Sequence, residues 1–182
     1  LFPTVVSTAQ LSIDPLQQAI VLKELLALRG DAEGNPSDGC AWTGDLHGVW
    51  QLHRHPSFSA LAQQVALHAR TYLDETGFAK DQVALHLQRC WPVISEWDQA
   101  IGRHHHPNAH LSAVLYLTGS GSGAEGALRL HAMHQPNELV SGLAVGYGGP
   151  IVEAHPMNQS HWDLAPRPGL LVLFPSSLHH SV

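Results

Sequence analysis

The residues that could do chemistry stand together at His104-His105-His106. In an extended backbone successive side chains alternate faces, so His104 and His106 share one face while His105 takes the other. Two imidazoles on one face can share a metal ion. Fifteen histidines in 182 residues make imidazole, the commonest protein ligand for transition metals, the outlier of the composition. The pair precedes Leu111-Ser-Ala-Val-Leu-Tyr-Leu117, an apolar run that would hold both rings rigid as a strand. A third ligand stands at the end of another apolar run, Gly169-Leu-Leu-Val-Leu-Phe-Pro-Ser-Ser-Leu-His-His180, as His179 or His180. Ligands at i and i+2, with one from a distant strand, occupy one face of an octahedral ion and leave positions for a bidentate cosubstrate and dioxygen. Three imidazoles and a water equally describe a catalytic zinc site, so ligand type leaves the metal open.

Other polar groups are weighed against this cluster. Asp45, Glu96 and Asp98 are candidate acceptors for the second N–H of a ligating imidazole, against the plainer reading of solvated loop acids. His47, His53, His55, His68 and His86 have no comparable pairing and read as structural or exposed, and His131 and His134 read as turn positions around Met133. No G-x-S-x-G elbow supports a serine nucleophile. Cys40 and Cys90 form no CxxC pair, which speaks against a disulfide framework and for a reducing, cytoplasmic setting. A net charge of −6, with nine Lys and Arg scattered singly, offers no stripe to neutralise a phosphate backbone, so no nucleic-acid partner is expected. The start, Leu1-Phe-Pro-Thr-Val-Val6, carries no signal-peptide pattern, and no membrane span is expected. The chain lacks an initiator Met and stops just after an apolar run, so one or both ends are expected to be missing.

The elements that must position these residues follow from periodicity. Hydrophobic content of 44% with 13% charged residues is the balance of a compact domain, and one domain over 1–182 is expected. Leu16, Ile20, Val21, Leu25 and Leu28 recur at helical spacing after Asp14-Pro15, predicting a helix that ends at Gly30, with a loop over 30–39. A second helix is predicted from Phe58 to about Leu73. Beyond Lys80 the texture changes to short apolar runs at 83–94, 111–117, 127–131, 143–145 and 170–174, which read as strands, with Gly119–Gly126 turning a hairpin. The fold class is α+β and mainly β: a helical part over about 1–80 packs on one face of a β-sandwich or jelly roll over about 81–182.

The tract His104-His-His-Pro-Asn-Ala-His-Leu-Ser-Ala-Val-Leu-Tyr-Leu117 resembles the H-x-H-P-N-A…L-S-G-V-Y-Y-L pattern of the 2-oxoglutarate and iron(II)-dependent oxygenases of bacteria and phages. The resemblance extends to Leu1-Phe-Pro-Thr4, Trp91 and Ala165-Pro-Arg-Pro-Gly-Leu-Leu-Val-Leu-Phe-Pro-Ser-Ser-Leu178, nearly the whole chain. It implies a cupin-like double-stranded β-helix, the cofactors Fe(II) and 2-oxoglutarate, and hydroxylation of a small-molecule or peptide substrate, with a homo-oligomer left open. By position it implies metal ligands His104, His106 and His180. His180 stands ahead of His179 because the F-P-S-W-L-x-H pattern puts the ligand two places after the leucine, here Leu178. Tyr116 takes the place of a cosubstrate contact, with Asn108 and Ser112 as further positioning groups. The chain departs from the pattern at Ser177 (for Trp), at Ala113 (for Gly) and over Leu128-Arg-Leu-His-Ala-Met133 (for F-x-D-P-R). The basic anchor for the far carboxylate of oxoglutarate is expected on a strand past Val182, and Arg103, Arg129 or Arg167 would replace it only by an unusual geometry. Two rivals stand beside this reading. One is a three-histidine cupin-type metalloenzyme that does not use oxoglutarate. The other is a non-catalytic module whose metal shell a fourth histidine such as His110 closes.

Overall fold

A computed structural model of the chain describes residues 4–30, 37–123, 125–133 and 159–182. Among these residues two helices and eight strands appear in the order β1 (Ser7–Gln10), α1 (Pro15–Gly30), β2 (Trp42–Thr43), α2 (Pro56–Glu75), β3 (Val93–Ile94), β4 (Leu111–Leu115), β5 (Leu128–His131), β6 (His161–Leu164), β7 (Leu170–Pro175) and β8 (His180–Ser181). Short 3₁₀ turns lie at Gly44–His47, Leu52–Arg54 and Lys80–Gln82. No helix among the described residues is long and apolar enough to cross a membrane.

Strand β7 organises the molecule. It is apolar from Leu170 to Phe174 and buried on both faces, the pattern of a strand covered on each side. It pairs antiparallel with β1 and with β4, Leu111 lying opposite Pro175 and Leu115 opposite Leu171. On one face Leu171 and Leu173 meet Leu11 and the Ala69 and Tyr72 side chains of α2. On the other, Leu170, Val172 and Phe174 meet Leu128 and Leu130 of β5, together with Leu178. A second antiparallel sheet, in the order β6-β5-β8, thus packs against the first, and α2 covers the first sheet's outer side. Gly169 makes the tight entry to β7: its φ is +82°, its carbonyl accepts from the Leu11 N–H at 2.8 Å, and an added Cβ would collide with the Leu11 carbonyl.

Both expected helices form. The Asp14 carboxylate accepts from the Gln17 N–H at 3.0 Å at the start of α1, and Pro56 opens α2 two residues before the expected Phe58. Periodicity overstated the buried face of α1: Val21 and Leu25 are buried, but Leu16 is 70% exposed and Ile20 lies outside the core. Two expectations are corrected. Of the 83–94 run only Val93–Ile94 is a strand, because the stretch before it, where Leu85 packs partly under α2, finds no partner strand among the described residues. The Gly119–Gly126 segment is not a hairpin turn. β4 and β5 belong to different sheets, and the glycine-rich stretch crosses between them, held by the Gly121 N–H on the Pro166 carbonyl at 2.8 Å. The expected strand over 143–145 lies outside the described residues, as does His134.

Truncating the centre of the sandwich should dominate stability. Phe174→Ala is expected to cost about 3–5 kcal/mol, against less than about 0.5 kcal/mol for Leu16→Ala on the exposed face of α1. Urea unfolding of the two variants measures the difference.

Candidate metal centre

The second sheet continues past β8 through residues 101–104. His104 and His180 exchange both backbone hydrogen bonds, at 2.9 and 2.8 Å, and Ile101 and Val182 do the same at 2.8 and 3.1 Å. A directly opposed antiparallel pair sends its two side chains to the same face. His104 and His180 therefore lie ring against ring, centroids 4.2 Å apart, on the side that packs toward the core. His106 returns to that side two residues on, with its ring 5.0 Å from each of the other two and its backbone N–H on the Ser176 carbonyl at 2.9 Å.

The intervening residues take the other face. His105 stacks on His179 with centroids 4.7 Å apart and planes 6° from parallel, and the Arg103 Nε–H donates to His179 Nδ1 at 3.1 Å. His179 is thus on the opposite side of the sheet from the His104, His106 and His180 rings.

One ligating atom from each of His104, His106 and His180 lies within 4.8 Å of the others. Bonds of about 2.1 Å at right angles to one ion would bring such atoms to about 3 Å, so modest ring rotations close the set. Two rings are already oriented. His104 Nδ1 lies 2.8 Å from the Gly102 carbonyl and His180 Nδ1 lies 3.0 Å from the Leu178 carbonyl. A carbonyl only accepts, so Nδ1 carries the proton in both and the Nε2 lone pair is left for a metal.

Burial favours the neutral form of His106 and His180. Burial pushes His180, which is 4% exposed, down to about 4, helped by His104, His106 and His131 and opposed by the Leu178 carbonyl. Burial, then His104, lowers His106, and the Asp45 carboxylate pulls the other way. A metal ligand has to be unprotonated, so a site that holds imidazoles neutral is prepared for a cation. Aromatic rings wall it: Trp91 meets His106 edge-on at 5.4 Å and Phe174 meets His180 at 4.9 Å.

The other expected positions fall at different distances from the rings. Ser112, opposite Phe174 in β4, shares a 2.7 Å hydroxyl contact with buried Ser176, whose carbonyl holds the His106 backbone. Tyr116 packs against the core between the sheets; its hydroxyl donates to the Gly126 carbonyl at 3.1 Å, and burial raises it to about 12. Asn108 is exposed in the turn after His106, and His110 is exposed as well. The three arginines are committed elsewhere: Arg103 to His179, Arg129 to Asp163 through two 2.8 Å bonds, and Arg167 to Gln10 at 2.8 Å. Of the candidate acids only Asp45 acts on a ring of the cluster; Glu96 pairs with Arg29 and Asp98 occupies a turn with φ of +64°. Ser176 was not singled out by spacing. Its signal is a polar residue two places after Phe174, in step with the inward positions of β7.

The neutral state of His180 has a sign-specific consequence for the metal-free protein. An unfolded histidine gains its proton near 6.5 and the folded His180 only near 4. Stability is therefore full above about 6.5 and falls as pH drops toward 4, by on the order of 3 kcal/mol. Urea unfolding at about pH 7 and about pH 4 measures the fall, and in His180→Leu that part of the pH dependence disappears.

The model of the family described as Putative 2OG-Fe(II) oxygenase matches residues 89–182, from just before Trp91 through all three converging histidines. No curated protein matches the chain. The match takes in more than half of the 182 residues, including β4, β5, β7 and β8, and on that ground the chain belongs to the 2OG-Fe(II) oxygenase family.

Proposed function

We propose that the protein is an iron(II) and 2-oxoglutarate-dependent dioxygenase built on a double-stranded β-helix, with His104, His106 and His180 as metal ligands. The observation that carries this reading is the convergence, in a member of this family, of three imidazoles of which two have Nδ1–H fixed on backbone carbonyls. When bound, the iron supplies activation of dioxygen, coupled to decarboxylation of 2-oxoglutarate to succinate and carbon dioxide with oxidation of a substrate C–H bond.

The chain's own residues do the rest. His104 and His180 would offer Nε2 from a rigid backbone pair, and His106 would supply the third imidazole to hold the iron. Trp91 and Phe174 shield the imidazoles from water on two sides, which strengthens the hold of neutral donors on a cation. Ser112, whose hydroxyl meets that of Ser176 beside the His106 backbone, is the first choice to position the cosubstrate; Tyr116 follows just past the end of β4. Asn108 takes part only if its turn folds inward over the ion. The substrate is a small molecule or a peptide side chain.

Protein loaded anaerobically with iron(II) and then given oxoglutarate and air should form succinate, and His106→Ala should reduce the rate at least about 100-fold. Retention of iron without succinate would favour the three-histidine metalloenzyme that dispenses with oxoglutarate, a reading supported by the engagement of Arg103, Arg129 and Arg167 away from the rings.

A further inference from the structure

The sheet that carries the histidine cluster has a second face, and the same register decides which side chains it receives. Leu130, His180 and His104 lie opposite one another and point inward, so their neighbours along each strand point outward. Most polar groups on that outward face satisfy one another. Arg129 is held by Asp163 through two 2.8 Å bonds, and His131 Nε2 lies 3.0 Å from the Ser181 hydroxyl. Asp163 is the one acid in β5, β6, β8 and residues 101–106, and Arg129 engages both of its oxygens.

One part of the face is left unsatisfied. Arg103 spends its Nε–H on His179 Nδ1 at 3.1 Å, and its other guanidinium N–H groups have no partner among the described residues. Arginine only donates, so Nδ1 is the bare nitrogen of the His179 ring and Nε2 carries a further N–H. His105 stacks on this ring at 4.7 Å, with planes 6° from parallel, and fixes its orientation. Arg103 and His179 line a groove of about 240 Å³ together with Ser177, Met133 and Ala132. The polar part of the lining is a guanidinium, an imidazole N–H and a hydroxyl; the rest is apolar. No carboxylate lines the groove, and the charges acting on His179 come from Arg103, His105 and His104.

We infer that this groove binds a carboxylate carried on a short aliphatic stem, the chemistry shared by a free alkyl acid and a glutamate side chain of a peptide. The flat guanidinium of Arg103 takes carboxylate oxygens through charge-assisted N–H bonds, and His179 or Ser177 supplies a further donor. Met133 and Ala132 cover the stem, a contact that inorganic phosphate lacks. The arginine repels a cation, and the volume fits one such group, below the size of a pocket for a larger ligand. The groove belongs to the outward face, so the site stands whether or not the inward rings hold a metal.

The test follows the isotope-labelled methyl of Met133 by nuclear magnetic resonance in the metal-free full chain. Sodium butyrate, acetyl-glutamate amide, sodium phosphate and butylammonium chloride are titrated in turn at constant ionic strength. Butyrate and acetyl-glutamate amide should shift the methyl saturably, phosphate should bind at least about 10-fold more weakly, and butylammonium should leave it unmoved. Arg103→Gln should weaken butyrate binding about 10- to 100-fold. Ser177→Trp fills the groove while keeping Arg103 and His179, and should abolish binding. Both residues are exposed, so both variants should melt near the wild-type temperature. Tighter binding of acetyl-glutamate amide than of butyrate assigns the ligand to a peptide side chain, and the reverse order to a free acid. The proposal is overturned by the absence of a saturable shift with butyrate, by a wild-type midpoint in either variant, or by phosphate or butylammonium binding as tightly as butyrate.

Discussion

Two backbone hydrogen bonds between His104 and His180 set the geometry on which the rest of the site depends. Because these residues are directly opposed in an antiparallel pair, each neighbour along either strand is assigned to a face without further choice. The inward face receives His104, His106 and His180; the outward face receives His105 and His179. A one-residue slip in this pairing would exchange the two sets and point His179 where His180 now stands. The register is held from both sides of β8, by β5 through Leu130 opposite His180 and by Ile101 opposite Val182, while the stacked outer rings and the Arg103 contact add a second restraint.

That register is anchored in packing. Leu178 and Val182 flank His180 at the same inward parity and meet the Leu128, Val172 and Phe174 cluster, so moving the strand by one residue would bring His179 and Ser181 into an apolar core. The face of β7 that supports the histidines is backed in turn by Leu171, Leu173 and helix α2. The close-packed interior that buries His180 also favours its neutral form, so core packing and metal readiness have a common physical origin there.

The legible parts of the sequence were those where one strong local pattern decides the outcome. The uninterrupted apolar runs that became β4 and β7, the proline-led helices, and the alternation placing His104 with His106 needed no distant information. Strands β1, Ser7-Thr-Ala-Gln10, and β6, His161-Trp-Asp-Leu164, were not legible: they are short and largely polar, and they exist because β7 and β5 supply a partner edge. The opposite failure occurred over 83–92, where an apolar pattern found, among the described residues, no strand partner beyond the isolated Gln51–Cys90 bridge. The glycine-rich stretch after β4 was misassigned because local turn chemistry cannot say whether the next strand returns to the same sheet. Between His179 and His180 residue type was silent and family resemblance chose; the inward parity that runs from Phe174 through Ser176 and Leu178 points to the same residue.

The pairing of β1 with β7 has a further consequence, for the order in which the molecule assembles. Ser7 sits opposite Leu173, so β1 completes its sheet only when β7, far along the chain, is in place. Ala69 and Tyr72 of α2 find their apolar partners Leu171 and Leu173 only through that long-range pairing, which raises the contact order of the fold. The same late segment brings β7, β8 and His180 together, so closure of the sandwich and completion of the histidine cluster coincide in time. A half-folded chain therefore offers at most His104 and His106 to a metal ion, and the complete cluster arises with the native core.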